Sequence, residues 1–203
     1  MTRLLLLEAV QSLLQALANP DPKIPDQLLS TFTTNPKPLA HEHGLPQLAP
    51  FLGRCFTGQD GISTYFNLIT SYLEIKNMAF GSEESWVVDE SCMTVALRGT
   101  ATFIWKETRQ AWDETFAYQI KLAEDMSDDP GKKGSLKISE YQVWADTGAA
   151  YLASLGKLGQ LLRSDSEHHG EGIYVDFDND VKRMKDDGKG TLGGGLSVYG
   201  SCG

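Results

Sequence analysis

The chain has 203 residues, 41% of them apolar and 22% charged, and a net charge of −9. That length suits one domain, or one domain with an appendage, with enough apolar material for a buried core. No basic block is present to release counterions from phosphates, which excludes a general nucleic-acid backbone binder, and no segment reaches the length of a membrane span.

Arg3 followed by Leu4, Leu5, Leu6 and Leu7 resembles the start of a signal peptide, but the apolar run stops at Glu8. Leu4, Leu7, Val10, Leu14 and Leu17 recur at helical spacing, so residues 2–18 are expected to form an amphipathic helix of a cytoplasmic protein. Asn19-Pro20-Asp21-Pro22 ends that helix, and a second, short one is expected over 25–33, with Pro25 in its first turn. Residues 39–44, carrying His41-Glu42-His43, read as a short extended piece or loop. A third helix begins near Gly58, with Asp60 as its N-cap and Ile62, Tyr65, Phe66, Ile69 and Leu73 as its apolar stripe.

The period then changes to two. Strands are expected over 73–80, 85–90, 92–106, 112–123 and 136–146, with a turn at 107–110 and a loop at 124–135. A closing helix covers 147–162. Helices followed by consecutive strands imply an α+β domain with helices on one face of an antiparallel sheet, spanning residues 1–163. Residues 164–203 are acidic and Gly-rich and lack a sustained apolar period, so a flexible tail is expected there. The cysteines Cys55, Cys92 and Cys202 are odd in number and widely spaced. That argues against a disulfide framework and a structural zinc site; Cys92, in an apolar run, reads as a buried small hydrophobe.

Two stretches carry a family resemblance. Phe56-Thr57-Gly58-Gln59-Asp60-Gly61-Ile62, leading into Tyr65-Phe66, and the strand ending Tyr141-Gln142-Val143-Trp144-Ala145-Asp146 resemble the nuclear transport factor two-like superfamily, also called SnoaL-like or ketosteroid-isomerase-like. The resemblance covers residues 39–155. It implies a half-barrel: a curved antiparallel sheet closed by N-terminal helices around a cone-shaped pocket. It also implies a homodimer paired through the sheet. Some members are isomerases, cyclases or dehydratases, and others are non-catalytic interaction modules, so the fold does not choose the function.

Candidate chemistry lies where polar residues fall on apolar strand faces, because burial there costs free energy without a use or a partner. The 112–123 strand places Trp112, Glu114, Phe116 and Tyr118 on one face. The last strand places Glu140, Gln142, Trp144 and Asp146 on one face. If both faces point inward, Glu114, Glu140 or Asp146 is the general base, Tyr118 an oxyanion donor, and Gln142 and Trp144 ligand contacts. The alternative sets Glu114 and Glu140 at a wet rim or a dimer interface. His41 and His43 are the second candidate, one of them as a pocket acid/base; alternate strand positions could share a metal, but spacing fixes no third ligand. Asp89 is a weaker carboxylate candidate, and His168 and His169 belong to the expected tail. Tyr65, Tyr72, Trp86, Phe103 and Trp105 join the other aromatics as core and ligand box.

The expected function is a pocket for an apolar, oxygenated small metabolite, with isomerase, cyclase or dehydratase chemistry that needs neither metal nor cofactor. The competing expectation is a dimeric interaction module.

Overall fold

The computed structural model describes residues 3–18, 25–126 and 134–160. The chain divides into two units, Met1–Leu161 and Leu162–Gly203, and the elements below belong to the first. The expected tail at 164–203 lies outside the described residues.

The first helix, α1 (Arg3–Ala18), buries Leu6, Leu7, Val10, Leu13 and Leu14. Leu4, expected in that stripe, is exposed, while Leu6 and Leu13 belong to the packed face. Helix α2 is Pro25–Ser30, shorter than expected, and hydrogen-bonded turns carry the chain on to Phe32. Strands β1 (Leu39–Glu42) and β2 (Cys55–Thr57) precede α3 (Gly58–Tyr72). The N-cap of α3 is Thr57, with no side-chain bond. Asp60 sits instead in the first turn, where its charge favours the positive end of the helix dipole.

Five more strands follow: β3 (Leu73–Phe80), β4 (Val87–Asp89), β5 (Thr94–Trp105), β6 (Ala111–Asp125) and β7 (Ser135–Trp144). Helix α4 (Thr147–Ser154) closes the body. Residues 83–85, at the edge of the strand expected over 85–90, form a 3-10 turn, and the Trp86 indole that follows donates to the Gly81 carbonyl at 2.9 Å. Cys92 lies in the turn at 90–93 and is exposed and free rather than buried.

The seven strands form a curved, unclosed sheet in the order β2-β1-β7-β6-β5-β3, with β4 also paired to β5. All pairs are antiparallel except β1 with β7, which run parallel, so the sheet is mixed at one end. Helices α1 and α3 pack on the concave face, and the core fills the space between.

Two local features shape that face. Gly99 lies opposite Phe116 in the β5–β6 ladder, and a Cβ there would meet the Phe116 ring at 2.4 Å. Only a glycine lets the ring lie flat across β5. The second feature is a β-bulge in β7. Lys121 pairs with Glu140 but Leu122 pairs with Ile138, so Ser139 is an extra residue. An inserted residue inverts the two-residue alternation, and every side chain after it changes face.

Candidate functional site

The bulge decides which residues meet. Before it, Ile138 is buried; after it, Tyr141 and Val143 are buried and Trp144 is exposed. Tyr141 and Val143 therefore join Tyr118 on the concave face, where Tyr118 pairs with Val143. Glu140, Gln142 and Trp144 turn to the opposite face. This overturns the expectation that they line the pocket, since that expectation ran an unbroken alternation through Ser139.

Strand β1 takes its phase from β7. Ala40 pairs with Tyr141 and Glu42 with Val143, so Ala40 and Glu42 point inward. His41 pairs with Gln142 and shares the outer face. His43 stacks on Trp144 at 4.2 Å and 10°, and its Nε2 lies 2.9 Å from Gln142 Oε1. His41 Nδ1 lies 2.9 Å from the Arg54 carbonyl. Neither histidine is a pocket acid/base. Among the described residues no third donor joins them as a metal site.

The cavity has a volume of about 810 Å³. Of the sequence-derived candidates, Tyr65, Phe103, Trp112, Glu114, Phe116, Tyr118 and Asp146 line it. Trp86 and Trp105 do not: both are buried core, Trp105 against Tyr72 with ring centres 5.5 Å apart. The weaker candidate Asp89 is also outside the cavity, holding the turn at Ser91 and Cys92.

The carboxyl that sequence reasoning missed is Glu42. It is 6% exposed and lines the cavity. Tyr65, one helical stripe position inside α3, donates its hydroxyl to Glu42 Oε2 at 2.7 Å. Burial raises the Glu42 carboxyl from its ordinary 4.5 to about 7, with the Tyr65 bond opposing the shift and the nearby Glu114 charge adding to it. A carboxyl at that value is half-ionised near neutral pH and can both take and return a proton.

Glu114 differs in its surroundings. The Trp112 indole donates to its Oε2 at 2.7 Å and the Asp146 amide to its Oε1 at 2.5 Å. Asp146 Oδ1 is engaged in turn as the N-cap of α4, accepting from the Gly148 and Ala149 amides at 3.0 Å each.

Tyr118 and Tyr141 stand with ring centres 5.0 Å apart in the same wall. Burial pushes both phenols above their ordinary value. They stay protonated at any working pH, which makes them donors rather than bases. Tyr141 was missed with Glu42. Its signal was present: the apolar positions run Leu136, Ile138, then Tyr141 and Val143, a step of three that marks the phase change.

No helix among the described residues is long and apolar enough to cross a membrane. No protein-family model matches the sequence, and no curated protein matches it. Solved structures do match. An NTF2-like protein from Burkholderia xenovorans LB400 aligns with a TM-score of 0.54 at 13% identity, over 77% of this chain and 98% of that one. An NTF2-like protein from Burkholderia thailandensis E264 aligns at 0.51 and 14% identity, over 72% and 95%. The BvnE pinacolase from Penicillium brevicompactum aligns at 0.51 and 14% identity, over 79% and 98%. With helices laid into the concave side of an unclosed sheet and near-complete coverage of those three structures, the chain has the NTF2-like fold.

Proposed function

We propose that the chain binds an apolar, oxygenated small molecule in this cavity and moves a proton on it, in an isomerisation, cyclisation or dehydration. The observation that carries this reading is Glu42: a 6% exposed carboxyl at about 7, on the wall of a cavity of about 810 Å³. Glu42, not Glu114, Glu140 or Asp146, is the acid/base. In the ionised form it removes a proton from a carbon beside a carbonyl. The C–H electron pair moves toward the carbonyl oxygen, where the Tyr118 hydroxyl donates to the developing oxyanion. Protonated Glu42 then returns the proton to another carbon. The interaction-module reading set Glu114 at a wet rim or an interface, whereas Glu114 and Glu42 both line this cavity.

The test is proton exchange. A panel of cyclic ketones is incubated with the protein in D₂O and α-deuteration is followed by NMR. General base catalysis contributes about 10²- to 10⁴-fold, so Glu42→Gln is expected to lose at least about 10²-fold and Tyr118→Phe a smaller factor. Exchange no faster than in buffer, or equal in wild type and Glu42→Gln, overturns the assignment.

A further inference from the structure

The cavity wall is a continuous run of rings. Trp112 stacks on Phe103 at 5.6 Å and 25°, and Phe103 meets Phe116 at 6.0 Å. Phe116 lies 4.9 Å from Tyr118, and Tyr118 5.0 Å from Tyr141. The run leads from the neighbourhood of Glu114 toward that of Glu42. Ring faces carry partial negative charge and attract cations.

The charges inside are mostly negative. Glu42, Glu74, Glu114 and Asp146 line the cavity, against Lys76 and Lys106. Both lysines are engaged away from the deeper acids. Lys76 pairs with Glu74 at 2.9 Å, and Glu74 also takes Arg109 at 2.9 Å. Lys106 donates to the Thr70 carbonyl. Among the described residues Glu114 is held by neutral donors, the Trp112 indole and the Asp146 amide. Neutral donors fix a carboxylate in place but leave its charge uncancelled. Among the described residues, neither Glu114 nor Glu42 forms an ion pair. An anion half-buried beside aromatic faces is stabilised by a positive group arriving from solution.

We infer that the ligand of this cavity carries a positive centre, a protonated amine or a quaternary ammonium, seated between Glu114 and the ring wall of Trp112, Phe103 and Phe116. This rests on the reading of the cavity as a small-molecule site and adds the charge of the molecule. An apolar, oxygenated body then reaches Glu42 and Tyr118, while its cationic group is held by Glu114.

The test compares two probes of equal shape on the full chain at pH 8: benzyltrimethylammonium and neopentylbenzene, its neutral carbon isostere. Affinities are measured by NMR titration, and the Trp112 indole N–H resonance reports where each probe sits. The ammonium is expected to bind at least about tenfold more tightly than the isostere and to shift the indole resonance. Glu114→Gln is expected to reduce the preference to about threefold or less and to leave the neutral probe within about twofold of wild type. The wild-type comparison needs no variant, so a misfolded Glu114→Gln leaves the test intact. An isostere that binds as well as the ammonium overturns the inference, as does failure of the ammonium to bind or an indole it leaves unmoved. Loss of the proton-transfer reading shows elsewhere, as unchanged deuteration in Glu42→Gln, and leaves the charge preference in place.

Discussion

Tyr65 donates its phenolic hydrogen to Glu42 Oε2 across 2.7 Å, joining α3 to the last residue of β1 inside the cavity. That single bond holds an acid where the surrounding atoms oppose its charge. Two outcomes follow from the balance of burial and partners around this carboxyl, and two more from Asp125 and Gly99.

Glu42 lowers stability as pH rises. Its carboxyl stands at about 7 in the fold against an ordinary 4.5. Below 4.5 it is neutral whether the chain is folded or not, and has no effect. Between 4.5 and 7 the unfolded chain gives up the proton while the folded chain keeps it, so the unfolded state gains. Above 7 the full cost is present, about 3 kcal/mol. Glu42→Gln is therefore expected to be more stable than wild type by about that amount at pH 8 and little different at pH 4. Urea melts across this range check it; a gap that does not grow with pH counts against the buried acid.

Two substitutions move the Glu42 midpoint in opposite directions. Tyr65→Phe removes the bond that opposes the shift, so the midpoint rises. Glu114→Gln removes the neighbouring negative charge, so the midpoint falls. Carboxyl ¹³C titration of Glu42 reads both. Tyr65→Phe also loses about 1 kcal/mol of stability with the hydrogen bond. Shifts of the same sign in both variants would show that the coupling is not the one described.

Asp125 shows the opposite linkage. It is 4% exposed and accepts from the Thr34 amide at 2.7 Å, the Asn35 amide at 3.0 Å and Lys137 Nζ at 2.9 Å. Burial alone would raise its carboxyl, but the Asn35 amide, Lys137 and the Thr34 amide outweigh it and hold the group below its ordinary 3.8. Its stabilisation is present above that value and is lost as pH falls through the depressed one. Asp125→Asn is expected to cost about 1.5–3 kcal/mol at pH 7 and progressively less in acid, measured by denaturant melts at both pH values.

Gly99→Ala crowds the Phe116 ring across the β5–β6 ladder. The added carbon would meet Phe116 Cε2 at 2.4 Å and Phe80 Cδ1 at 2.9 Å. Overpacking of this kind costs about 1–3 kcal/mol. Pairing it with Phe116→Leu, which removes the clashing ring, is expected to recover part of the loss in a double-mutant cycle. Additive losses would mean that the two positions do not touch.

Much of the architecture was legible because the periods are strong. Ile62, Tyr65, Phe66 and Ile69 mark α3, and the alternation from Val95 to Ala101 and from Trp112 to Ile120 marks β5 and β6. On β6 the inward set Trp112, Glu114, Phe116 and Tyr118 follows from that alternation. The site's other half was hidden by one residue. Ser139 reverses the phase of β7, and β1 inherits the reversal through its parallel pairing, so Glu42 enters and His41 and His43 leave. In β1 the local pattern misleads: Leu39 is the most apolar residue, and a two-residue beat from it would carry both histidines inward. Ladder partners far away in sequence set the phase there, and four residues alone cannot reveal it.

The outermost strands carry a further consequence. On one side the sheet stops at β2, three residues long; on the other, β3 breaks register between Lys76 and Ala79 where Asn77 takes φ 54°. Neither offers a long straight row of free amides and carbonyls on which a foreign strand could template. Chains crowded together during synthesis are thereby discouraged from zipping side by side into cross-β assemblies, a safeguard set by the shape of the margins and independent of whatever the interior holds.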